Sequence, residues 1–71
     1  MSVMAYYGTR RGGSGGRTVK TAEEAEKILR GGYGVTNVRL VDHNGDEVGG
    51  RWKREGRWFW FYDQDAFRVQ P

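Results

Sequence analysis

The sequence predicts an α+β fold, a single ββαβββ domain in which one short helix packs on one face of an antiparallel sheet. Three observations predict it. Residues 21–30 form an amphipathic segment with a start signal and a Gly31-Gly32 stop, residues 35–42 are a β-branched run closed by His43-Asn44-Gly45-Asp46, and residues 57–62 are almost pure β-formers.

The elements follow in chain order. Val3-Met4-Ala5-Tyr6-Tyr7 is apolar and aromatic and reads as a first strand, with Thr18-Val19-Lys20 as its return. Residues 8–17 between them offer no core anchor and read as a flexible Gly/Arg-rich loop bearing Arg10, Arg11 and Arg17. Thr21-Ala22-Glu23-Glu24 is a capping box, in which the Thr21 hydroxyl accepts from the Glu24 N–H and the Glu24 carboxylate reaches back to the Thr21 N–H. Glu23 and Glu24 complement the positive end of the helix dipole, and Lys27 and Arg30 the negative end. Ala22, Ala25, Ile28 and Leu29 share one face, and a helix this short needs a sheet beneath it. Residues 35–42 then turn at Asn44-Gly45, which fits a two-residue type I′ hairpin. Residues 47–54 return, Glu55-Gly56 turns again, and residues 57–62 finish a three-stranded meander. Residues 63–71 read either as a turn with a short edge strand or as a loose tail held by Phe67.

Composition narrows the function. The chain has 71 residues, 37% hydrophobic and 30% charged, so it forms one domain (residues 1–71) with a small core. Ten aromatic residues, three of them Trp, are the obvious source of buried area. The absence of cysteine excludes disulfides, thiolate zinc sites and thiol catalysis. His43 stands alone, and Asp42, Asp46 and Glu47 around it, like Asp63 and Asp65, are turn and cap residues before they are metal ligands. The Gly8 to Gly16 run lacks the Gly-Lys-Ser/Thr ending of a phosphate loop. The expectation is therefore a binding protein with no catalytic residues, metal or cofactor. No apolar stretch of membrane-spanning length and no secretion signal occurs, which points to a cytoplasmic protein with no membrane partner. A net charge of +3 favours an anionic partner.

Register locates the candidate surface. With Glu55-Gly56 as turn residues, Arg54 faces Arg57, Lys53 faces Trp58, Trp52 faces Phe59 and Arg51 faces Trp60. Alternation then puts Trp52, Phe59 and Phe61 on one side and Arg51, Lys53, Trp58, Trp60 and Tyr62 on the other. The first set carries no charge and is expected under the helix; the second is expected as an exposed basic–aromatic stripe. Carrying the register through Asn44-Gly45 would place Val38 and Leu40 beside Arg51, unless a bulge at Gly49-Gly50 returns them to the core and Arg39 to the stripe. Two functions fit such a stripe. In one, Arg10, Arg11, Arg17, Arg39, Arg51, Lys53, Arg54 and Arg57 neutralise phosphates of a nucleic acid or nucleoprotein complex while Trp58, Trp60 and Tyr62 stack on bases. In the other, the same face is a protein–protein adaptor or homodimer surface with no nucleic-acid role. A plainer alternative makes Trp58 and Trp60 core residues with arginine cover.

The order strand, basic loop, strand, capped helix and meander, with Asn44-Gly45 and the Arg51-Trp52 to Arg57-Trp58 pattern, spans residues 3–62 and resembles small phage-encoded proteins, including some anti-CRISPR inhibitors of type I-F systems. The glycine-rich first loop and the aromatic last strand depart from that pattern. The resemblance implies an inhibitor that occupies the nucleic-acid surface of a surveillance complex or acts with DNA, and the basic charge of this chain suits the second. It assigns no functional residue.

Overall fold

The computed structural model describes residues 3–67. Five strands, β1 (Val3–Thr9), β2 (Ser14–Val19), β3 (Val35–Val41), β4 (Glu47–Arg54) and β5 (Arg57–Tyr62), form one antiparallel sheet in the order β2-β1-β3-β4-β5. Helix α1 (Ala22–Leu29) follows β2, and 3₁₀ turns occupy Gly32–Gly34 and Gln64–Phe67. This is the α+β, ββαβββ architecture expected from the sequence. Because β1 lies between β2 and β3, the helix must carry the chain across β1, and it packs against β2, β3 and β5 on one face of the sheet.

Local chemistry sets the helix ends. Thr21 is extended (φ −131°, ψ 159°), and its hydroxyl accepts from Glu24 N–H at 3.2 Å. The Glu24 carboxylate reaches one residue further back than a standard capping box, to Lys20 N–H at 3.1 Å. At the other end Gly31 takes φ 94°, which ends the helix as a left-handed residue does.

The first hairpin is tighter than its composition suggests. Thr9 N–H donates to Gly13 O (2.9 Å) and Gly12 N–H to Thr9 O (3.0 Å), so the strands continue to a tip of three residues, Arg10-Arg11-Gly12. The β3–β4 tip is built the same way: Asp42 N–H donates to Asp46 O (2.9 Å) and Gly45 N–H to Asp42 O (3.1 Å). Both are three-residue loops closed by a left-handed glycine, and the expected two-residue turn at Asn44-Gly45 does not form. The type I′ turn occurs instead at Glu55-Gly56 (φ 51° and 78°), and the β4–β5 register is the one read from the sequence.

The bulge is also displaced. Val41 pairs with Glu47 and Leu40 with Gly49, so Val48 is the extra residue, while Gly49 and Gly50 pair regularly with Leu40 and Arg39. The longer turn shifts the register by one residue and the bulge shifts it back. Val38 therefore faces Arg51, and Val38 and Leu40 share a side with Arg51 and Lys53. That side is the one under the helix, which overturns the face assignment made from β4 and β5. The core consists of Val3, Ala5, Val19, Ala25, Ile28, Leu29, Val35, Val38, Leu40 and Val48; it is aliphatic, and the rings expected beneath the helix, Trp52, Phe59 and Phe61, lie on the opposite side. Tyr7, Tyr62, Ala66 and Phe67 pack at the margin of this core. Residues 68–71 of the expected tail lie outside the described residues.

Arg51 enters the helix side as a structural cation. It is only 8% exposed; its Nη1 donates to Leu29 O and its Nε to Thr36 O, both at 3.0 Å. The guanidinium thus meets the negative end of α1, and its carbon lies 4.1 Å from the centre of the Trp58 ring. Burial, together with the like charge of Arg10, lowers its pKa from the ordinary arginine value. Arg51→Lys keeps a charge but gives up the fork that reaches two carbonyls. It should cost about 1.5–3 kcal/mol, the range for a hydrogen bond to a charged group, seen as a lower urea midpoint at unchanged slope.

Candidate functional site

The face away from the helix is the candidate site. Alternation and pairing place Gly16, Tyr6, Arg39, Gly50 and Phe61 in one row across all five strands, with Trp52 and Phe59 in the adjacent row on β4 and β5. Tyr6 (51% exposed), Trp52 (40%), Phe59 (42%) and Phe61 (48%) are all open to solvent. Trp52 and Phe59 stack with centroids 6.0 Å apart and planes at 25°, and Phe61 meets Trp52 edge-on at 5.9 Å. Gly50 carries no side chain to fill the space beside Arg39, so Tyr6, Gly8, Asn37, Arg39, Glu47, Gly50 and Trp52 line a shallow depression.

The charge on this face is basic with one acid embedded. Arg39 Nε lies 3.4 Å from Glu47 Oε2, and both side chains are more than half exposed, so the pair is weak and open to exchange with another ligand. Arg54 and Arg57 pair across β4 and β5 on the same side as Trp52 and Phe59, which places two more guanidinium groups at the end of the aromatic row.

The other predicted residues fall elsewhere. Arg51 is buried, as described. Trp58 is held between Arg51 and Lys53, whose ammonium is 5.8 Å from the ring centre. Trp60 stacks on Tyr62 (6.2 Å, 10°) with Arg30 at 5.7 Å. Trp58 and Trp60 remain 38% and 36% exposed, so they are not sealed in the core, but their ring faces are engaged within the molecule. Arg17 covers Tyr33 at 4.2 Å. Arg10 and Arg11 sit at the first hairpin tip. The structure therefore brings together Arg39, Arg54 and Arg57 with Tyr6, Trp52, Phe59 and Phe61, and it separates them from Trp58, Trp60 and Tyr62.

Tyr6, Trp52, Phe59 and Phe61 escaped the sequence reading as site residues. The signal that finds them is the aliphatic parity of the first strand: Val3 and Ala5 point inward, which commits Tyr6, and through pairing Arg39 and Phe61, to the outer side.

The carboxylates at the β3–β4 turn serve the backbone. Asp42 Oδ1 accepts from Asn44 N–H and Asp46 N–H, both at 2.9 Å. Among the described residues no group of three or more His, Cys, Asp or Glu is placed to hold a metal ion, and no helix is long and apolar enough to cross a membrane. No family model, curated protein or solved structure matches this chain.

Two outcomes test the assignment of sides. Leu40→Ala should cost about 2–5 kcal/mol as a core truncation. Trp52→Ala should cost about 0.5–1.5 kcal/mol, the worth of an aromatic pair; both are read from urea unfolding. A third outcome concerns pH. The Tyr62 hydroxyl donates to Glu26 Oε1 at 3.2 Å, and desolvation, then the Glu26 charge and that hydrogen bond, raise its pKa above the ordinary tyrosine value of 10.0. A raised folded-state pKa contributes stability that is complete below the unfolded value and is lost as pH rises through the folded one. Stability of Tyr62→Phe should therefore fall less steeply than that of the native chain above the unfolded tyrosine pKa of about 10, measured by alkaline denaturation.

Proposed function

We propose that this chain is a non-enzymatic binding protein whose helix-free sheet face receives single-stranded nucleic acid, alone or within a nucleoprotein complex. Bases stack on Trp52, Phe59, Phe61 and Tyr6, and phosphates are met by Arg39, Arg54 and Arg57. The supporting observation is the exposed aromatic row on the uncovered side of the sheet, ringed by arginines that no buried contact consumes. A sheet face of solvent-facing rings suits unstacked bases, since every base presents a π-face. Duplex recognition is less well served. The helix is short, buries one side against the sheet, and presents Glu23 and Lys27 outward, with no groove-reading arrangement. A net charge of +3 also suits a short strand better than a long duplex footprint. The resemblance to phage-encoded inhibitors suggests one specific form of this reading, an inhibitor that engages the nucleic acid of a nucleoprotein target.

Tryptophan fluorescence titration with single-stranded DNA and RNA oligonucleotides tests the proposal. Binding should weaken with salt, and Trp52→Ala should lose about tenfold or more in affinity, given about 1–3 kcal/mol per stacked base. Arg57→Ala should reduce the slope of log K against log salt by about 0.7, one phosphate contact on a single strand. Trp58→Ala should leave affinity unchanged. No affinity for either nucleic acid at about 50 mM salt, where phosphate contacts are strongest, would reject the proposal and leave the protein-adaptor reading of the same face.

A further inference from the structure

Among the described residues no strand pairs with the outer edge of β5, the last strand of the sheet. Edge strands are ordinarily blunted by a lysine, a proline, a bulge or extreme shortness. From Trp58 to Tyr62 this strand offers five successive aromatic residues, and its pairing with β4 runs unbroken from Arg54↔Arg57 to Gly49↔Tyr62. The described part of the segment that follows does not pair with it: Ala66 and Phe67 fold back onto the core side, where Phe67 meets Tyr62 edge-on at 5.9 Å.

Hydrogen-bond direction adds the next constraint. Arg54 and Arg57 close a two-residue turn and exchange both bonds, so Arg57, Phe59 and Phe61 direct their N–H and C=O groups toward β4. The Asp63 N–H donates to Val48 O at 2.8 Å, which continues the same alternation. The polar groups of Trp58, Trp60 and Tyr62 consequently point outward, away from the sheet.

We propose that β5 pairs antiparallel with β5 of a second copy, about a two-fold axis through Trp60, to make a continuous ten-stranded sheet. A two-fold normal to the sheet keeps facing side chains on one side, so the residue numbers that face each other must sum to an even number. Centring on Trp60 sets Trp60 against the second copy's Trp60 and Trp58 against the second copy's Tyr62, which uses all three outward-pointing residues. It also sets Arg57 against the second copy's Asp63, twice by symmetry. A centre on Phe59 would oppose Glu55 to the second copy's Asp63, like charge on like, and a centre on Phe61 would oppose Phe59 to it. Charge complementarity therefore selects one register. The helix-free faces of the two copies then lie on the same side, and the row of Trp52, Phe59 and Phe61 continues into its symmetry mate. The pairing does not rest on the nucleic-acid proposal, which is decided by oligonucleotide titration whatever the oligomeric state.

Sedimentation equilibrium and cross-linking test it. The native chain should show an apparent mass twice that of one chain. Trp60→Pro removes an outward N–H that the β4 ladder does not use, and it should halve that mass while circular dichroism stays native. The chain has no cysteine, so Phe59→Cys and Phe61→Cys variants can be mixed and oxidised. Residue 59 faces the second copy's residue 61 in a non-hydrogen-bonded pair, where β-carbons come close, so from an equimolar mixture the mixed disulfide should form well in excess of the statistical share, twice either homodisulfide, that random pairing gives. A native chain that sediments as a monomer across micromolar concentrations would overturn the proposal. So would a mixed disulfide at or below its statistical share, and this second arm decides the matter even if Trp60→Pro fails to fold.

Discussion

The guanidinium of Arg51 holds the helix to the sheet, and the division of the molecule into two unlike faces depends on that contact. It lies between the carbonyls of Leu29 and Thr36, at the end of α1 and the start of β3, with Trp58 stacked against it. A buried charge is costly unless it is well hydrogen-bonded. Here the cation meets the carbonyl end of a helix, where the dipole favours it, and an aromatic face replaces part of its hydration. An arginine on the core side of β4 is thus compatible with a helix above it, and the apolar residues opposite it are left on the outside.

That arrangement explains why so aromatic a chain has an aliphatic core. The helix packs against β2, β3 and β5, and it contributes Ala25, Ile28 and Leu29 to a layer shared with the inward Val, Ala and Leu residues of the sheet. The large rings cluster on β4 and β5, the last two strands of the sheet. On the helix side they engage arginines and lysines already present. On the far side Trp52 stacks on Phe59 and meets Phe61 edge-on, and a contiguous apolar patch fringed by charge is the usual mark of a recognition surface.

The sequence made the elements legible because each rests on local chemistry: a threonine cap and a glycine stop for the helix, and glycine-containing turns between β-branched or aromatic runs. The β4–β5 register was legible too, since Glu55-Gly56 allows one tight turn and pairing follows from it. The β3–β4 connection was not. Asn44-Gly45 suits a two-residue turn, but the Asp42 side chain accepts two backbone N–H groups and stabilises a longer loop, while Val48 absorbs the resulting shift. These two departures cancel, so the uncorrected register is the right one, and the bulge at Gly49-Gly50, needed only to fit the assumed faces, does not form. The rule that a charge-free face must be the buried one failed at Arg51, because burial of a guanidinium depends on two carbonyls that come together only in the folded chain. The three-residue tip at Arg10-Arg11-Gly12 was hidden for a related reason: its order comes from Thr9 and Gly13 closing across it, which composition does not register.

The three tryptophans divide the molecule conveniently, with Trp52 on the open side and Trp58 and Trp60 on the helix side. Their indole N–H resonances, followed by two-dimensional NMR during titration with a short single-stranded oligonucleotide, report on each side separately. Recognition on the open face predicts that the Trp52 signal moves in proportion to occupancy while those of Trp58 and Trp60 stay fixed. Movement of Trp58 and Trp60 with Trp52 unaffected would contradict it.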